Sequence, residues 1–195
     1  MSANPYRFSL VSIKGCVFHW VQSVWRKVQE LGLATAYRNN QAIHQYVRQL
    51  MALPFLPAGN ITETFHHLQA RANSVQLTQL VDYVNRQWIN NAIFRVEDWS
   101  VFRRSIRTNN DVEGWHHLLN SQAHHGAVPF YVLVPALRKE AELVDISVQS
   151  SNLDREQRSS TVNARLEEYW TKYSNGEVST STFLKTVSHL YGPSE

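Results

Sequence analysis

The chain has 195 residues, a formal net charge of +3, one cysteine, and 43% hydrophobic residues that include six Trp, eight Tyr and eight Phe. This apolar and aromatic content excludes a disordered tail, and a lone thiol excludes an internal disulfide framework and fits a reducing compartment. The charge is too small to mark a nucleic-acid binder by itself.

Seven Gly and six Pro are few for a loop-rich or all-β chain, so helices are expected. No apolar run approaches membrane-spanning length. The opening MSANPYRFSLVSIKGCVFHW lacks the charged leading region and small-residue cleavage pattern of a secretory signal, so an intracellular protein is expected. Residues 7–18 carry a β-prone run, FSLVSI and then CVF, short enough for one strand. A strand needs partners for its backbone groups, so a lone one suggests a sheet that has been cut away.

From His19 the pattern turns helical. Trp20, Val24, Trp25, Val28 and Leu31 recur at three-to-four spacing and Gly32 follows as a stop. A second helix is read from Ala42, Ile43, Tyr46, Val47, Leu50 and Met51, ended by Pro54. Asn60 with Glu63 has capping-box spacing and opens a third, with Ile61, Phe65, Leu68 and Ala72 on its apolar face. Leu77, Leu80, Val81, Val84 and Trp88 mark a fourth. A short helix over 96–102, with Glu97 and Asp98 in its first turn, precedes the basic cluster Arg103, Arg104 and Arg107.

A helix over about 111–123 follows, burying Val112, Trp115, Leu118 and Leu119. After Gly126, Pro129 suits the start of a helical segment to about residue 148, which Pro135 kinks or delays. SSNLDREQRSS reads as a polar, mobile linker. Val162, Leu166, Tyr169, Trp170 and Tyr173 give another amphipathic helix, and residues 183–191 a last short one.

The stretch TNNDVEGWHH carries the most specific chemical question, the role of the Glu113 carboxylate. Asn110 and Glu113 have capping-box spacing, so a helix cap is the default reading. The alternative is a metal-binding carboxylate at the mouth of a helix. Cys16 and His19 form a Cys-x-x-His pair, with His66–His67, His116–His117 and His124–His125 as further candidate ligands. A structural zinc site wants four ligands in matched short pairs, so zinc is not expected. The competing reading is a packed thiol beside a histidine that binds no metal. The Trp residues fall on apolar stripes, which favours core packing over stacking on nucleobases.

Taken in order, KGCVFHWVQSVWRKVQELGL, RTNNDVEGWHHLLN and PALRKEAEL resemble the C-terminal part of Mutator-like element (MULE) transposases, over about residues 13–191. The resemblance implies a ribonuclease H-like catalytic domain with a DDE triad, in which a Cys-x-x-His strand leads through a helical insertion to the glutamate at a helix start. Cys16 and His19 match the first motif, about 20–107 the insertion, and Glu113 the third carboxylate. Both family aspartates precede the Cys-x-x-His motif. Only fifteen residues precede Cys16 here, none of them acidic, and residues 1–12 do not match the family. Asp82, Asp98 and Asp111 lie after that motif and cannot be carried onto the missing positions.

The family's chemistry is an in-line displacement at phosphorus supported by two Mg²⁺ ions held by clustered carboxylates. A single glutamate cannot hold that pair, so no autonomous cleavage and no bound Mg²⁺ are expected. The expected fold is mainly α, the helical insertion and C-terminal helices of a ribonuclease H-like domain with one short N-terminal strand. The expected organisation is a non-matching segment over 1–12, a partial catalytic domain over 13–148, and a linker with C-terminal helices over 149–195. The function implied by the resemblance is that of a transposase fragment, nuclear, with weak DNA contact through Arg103, Arg104 and Arg107. The alternative is a helical protein-interaction module with no nucleic-acid role. A sheet edge left exposed near 11–18 would favour self-association.

Overall fold

The computed structural model describes residues 14–104, 107, 130–131, 133–135, 137–139 and 153–190, with 153–160 through their backbone alone. The chain divides into two compact units, Met1–Arg107 with Tyr169–Glu195, and Thr108–Glu168. The regular structure among the described residues is helical, with no strand. In chain order it comprises α1 (Val17–Glu30), α2 (Ala34–Asn39), α3 (Gln41–Met51), a 3-10 turn (Leu53–Phe55) and α4 (Ala58–Gln69). Then come α5 (Val75–Val84), which runs into a π turn (Asn85–Ile89), α6 (Val96–Trp99), α7 (Leu153–Ser174) and α8 (Thr180–Leu190).

The N-terminal strand is corrected in the part that is described. Val17 and Phe18 belong to α1, and Cys16 is the extended residue just before it, at φ −103° and ψ 126°. Val17 shares a buried stripe with Trp20, Val24 and Val28, so helical burial overrides the β preference of CVF. The main chain here is clasped from two sides: Gly15 N donates to Asp98 O at 2.8 Å and Val17 N to Arg107 O at 3.0 Å. Gly15 is required by contact, because a Cβ there would stand 2.7 Å from Trp99 Cβ and 2.9 Å from Trp99 Cα. No sheet edge exists among the described residues, so the expected edge-to-edge association loses its basis there; residues 7–13 of the predicted strand lie outside them.

Gly32 ends α1 as expected. At φ +70° it donates to Gln29 O at 3.0 Å, and Leu33 N donates to Val28 O at 2.9 Å, the paired bonds of a Schellman turn. α2 was not foreseen, since only Leu33 and Tyr37 supply its apolar spacing. Asn40 caps α3, its Oδ1 accepting from Ala42 N at 2.9 Å and Ile43 N at 3.2 Å. α4 corrects the Asn60 cap. It begins at Ala58, with Pro57 in the cap position at φ −52° and ψ 139° and no side-chain cap; Pro57 O accepts from Asn60 N at 2.9 Å. Asn60 Nδ2 instead donates to Tyr173 Oη at 2.8 Å. Ser74 caps α5, accepting from Leu77 N at 3.2 Å.

The core turns on residues 51–56, a run in which every residue is buried. A short 3-10 turn leaves buried carbonyls that need partners. Each is met from a distant part of the first unit. Trp20 Nε1 donates to Met51 O at 3.1 Å and Trp170 Nε1 to Phe55 O at 2.8 Å. Val101 N donates to Pro54 O at 2.8 Å, and Ser100 Oγ to Leu56 O at 2.8 Å. Those last two bonds explain why α6 stops at Trp99 rather than continuing to 102: residues 100–101 are drawn out to cover the hub. Beside it, Trp20 stacks on Trp99 with centroids 4.7 Å apart, and Trp88 meets Trp20 edge-on at 4.9 Å.

The linker reading of 150–160 is also corrected. Residues 153–160 are the start of α7. Arg, Glu and Gln are good helix formers, so DREQR is polar without being a breaker. In the first unit the end of α7 buries Trp170, and α8 buries Phe183, Leu184 and Val187. Arg48 of α3 ties α8 down, its Nε donating to Ser188 O at 2.7 Å. In the second unit residues 130–131, 133–135 and 137–139 are helical, Pro135 among them. The helix expected over 111–123 lies outside the described residues. No helix among the described residues is long and apolar enough to cross a membrane.

Candidate functional site

The basic turn is built by the hub. With Val101 and Ser100 fixed to it, the chain reverses at Phe102 and Arg103, and Arg104 N closes the turn on Val101 O at 3.0 Å. Arg103 is exposed and sits at φ +53°, a left-handed conformation that costs a non-glycine residue energy and persists only when its surroundings impose it. Its guanidinium lies 5.8 Å from the Phe102 ring. Phe102 in turn meets the Trp170 ring edge-on at 5.7 Å.

The three arginines are brought together but not into one role. Arg104 Nη2 donates to Glu97 O at 3.0 Å, while its Nη1 is buried without a partner. Burial pushes the Arg104 pKa down, and the Asp98 carboxylate opposes that. Arg107 Nη1 donates to Arg104 O at 3.2 Å, and its guanidinium lies 5.8 Å from the Trp170 ring centroid. Arg104 and Arg107 therefore hold the turn. Arg103 presents its charge to solvent.

Cys16 and His19 are placed on the cap and first turn of α1. Cys16 O accepts from Trp20 N at 3.1 Å, and the exposed His19 ring meets Phe18 edge-on at 5.6 Å. Among the described residues no three His, Cys, Asp or Glu side chains form a group that could hold a metal ion. His66 and His67 are exposed on α4; the other histidine pairs, Asp111 and Glu113 lie outside the described residues.

The described aspartates do not stand in for a metal centre. Asp98 Oδ2 accepts from Arg95 N at 3.0 Å and faces the Arg95 guanidinium at 3.9 Å. Asp82 is exposed on α5. Trp20, Trp99 and Trp170 follow the packing reading and are fully buried; Trp25 and Trp88 are half-buried, and Trp115 lies outside the described residues.

Two further features had no signal in the sequence. One is the left-handed Arg103, which no residue pattern marks. The other is a cleft at the start of α3 that brings together Tyr46 of α3 and Arg71 of the turn after α4; their separation in the sequence hides the pairing. No protein-family model, curated protein or solved structure matches the chain.

Proposed function

We propose that this chain is a helical module derived from a Mutator-like element transposase, nuclear, associating weakly with duplex DNA and unable to cut it as the 195-residue polypeptide. The observation that carries the reading is the ordered pair of motifs, Cys16-x-x-His19 and the segment around Glu113, with a helical insert between them. The unbroken series of helices and turns from α1 through α6 supports it. Arg103 is the phosphate contact in this reading, and Arg104 and Arg107 shape the turn that offers it.

Paired Mg²⁺ does not fit the residues present. Only Glu113 matches a family carboxylate, Asp98 is engaged with Arg95, and Asp82 stands apart on α5. No cleavage step is therefore drawn through metal ions. The test is incubation of the polypeptide with duplex or nicked DNA and Mg²⁺ or Mn²⁺. No cleavage above background is expected. Clear cleavage that Glu113→Gln removes overturns the reading.

One observation favours the second reading, a protein-interaction module. Two of the three arginines are tied to main-chain carbonyls, Arg104 to Glu97 O of α6 and Arg107 to Arg104 O, which leaves a small cationic surface. The two readings separate on DNA affinity, which falls steeply with ionic strength only where phosphates are contacted.

A further inference from the structure

A cleft of about 400 Å³ opens beside the start of α3 and is lined by residues that include Asn40, Ile43, Tyr46, Arg71, Asn73 and Leu77. Among the described residues, Arg71 is the only charged residue of its lining, and no carboxylate contributes to the wall. Among the described residues, none of the ion pairs within 4.0 Å involves Arg71.

This guanidinium is nevertheless held in place. Arg71 Nη1 donates to Gln49 Oε1 at 3.1 Å, and Gln49 is only 4% exposed. Its planar group also lies 6.0 Å from the Tyr46 ring centroid. That ring is itself fixed, since Tyr46 Oη donates to Leu68 O at 2.8 Å. A cation oriented from two sides loses little freedom when it pairs, and a guanidinium fork suits a carboxylate or a phosphate. The first-turn amides of α3 are already capped by Asn40, so Arg71 is the group that would meet an anion.

We propose that this cleft binds a small organic oxyanion, with its carboxylate or phosphate group on Arg71 and its apolar body against Ile43, Tyr46 and Leu77. The volume falls within the usual range for small-molecule sites, about 300–1,000 Å³. With Arg71 as the one charge among the described lining residues, the cleft favours an anion over a cation. This binding is independent of the basic turn and of any contact with DNA.

The test uses the full chain, titrated with benzoate, phenyl phosphate and the neutral analogue benzamide while the Arg71 Nε–H and the Ile43 and Leu77 amides are followed by NMR. At least one anion is expected to bind saturably and shift these three signals, whereas benzamide does not. Which anion binds more tightly tells a carboxylate site from a phosphate-ester site. Arg71→Gln is expected to weaken binding about tenfold or more. Arg71→Lys, which keeps the charge and loses the fork, falls between, and Arg86→Gln on the π turn changes nothing. Binding of benzamide as tight as that of the anions, or anion affinity unchanged in Arg71→Gln, overturns the proposal. So does the absence of saturable shifts at these signals in the wild-type chain.

Discussion

Residues 51–56 and the basic turn that follows Val101 are joined through Ser100 and Val101, yet they use their polar groups in opposite ways. In the first, buried carbonyls are satisfied by Trp20, Ser100, Val101 and Trp170. In the second, guanidinium groups satisfy some neighbours and leave Arg103 exposed in a left-handed conformation. The hub is where long-range contacts converge and stability resides; the turn is an outgrowth whose shape the hub dictates. The difference predicts that substitutions in the hub act on folding and that substitutions at the tip of the turn act on binding.

The largest effect is expected at Trp170, which is fully buried and serves both regions. Trp170→Ala should lower stability by about 3–5 kcal/mol in chemical denaturation. Trp170→Phe keeps much of the volume but strands Phe55 O, and should lower it by about 1–3 kcal/mol. A loss near zero for Trp170→Ala would break the contrast between hub and turn. Gly15→Ala comes next, at about 1–3 kcal/mol, because the added Cβ meets Trp99 at 2.7 Å. Ser100→Ala removes the bond to Leu56 O and should cost about 1 kcal/mol.

Tyr46 supplies a pH prediction. Burial raises its pKa from 10.0 to about 12, against the opposing pull of Arg71. The unfolded phenol ionises first, so this contribution is whole below about pH 10 and is lost as pH rises towards about 12. Tyr46→Phe should flatten that part of the stability curve, which alkaline denaturation measures. The smallest effect on folding belongs to Arg103→Ala, within about 0.5 kcal/mol, as expected for a surface position. A larger loss there would make the tip of the turn part of the core.

How far the sequence carried this picture follows from local physics. The stripes of α1, α3, α4 and α5 were legible because their apolar residues recur every three or four positions. Gly32 was legible because few other residues tolerate its backbone. Two errors came from reading residue type without context: CVF is β-prone, but Val17 continues the stripe of α1, and DREQR is polar yet helix-forming. Asn60 resembled a cap, whereas Pro57, three residues upstream, holds the cap position. The hub was hidden because its bonds join residues 20, 100, 101 and 170 to a six-residue run, and no local pattern encodes such distances. Arg103, Arg104 and Arg107 were legible as a cluster, but their division of roles depends on Glu97 O, Trp170 and a left-handed backbone.

The reading of this chain as a DNA-associated module is tested most directly by duplex binding measured from 50 to 200 mM salt. The account predicts weak binding whose logarithm falls linearly with the logarithm of salt concentration, with a slope reduced by about one in Arg103→Ala. Absence of binding at the lowest salt, or an affinity that salt does not change, would contradict it.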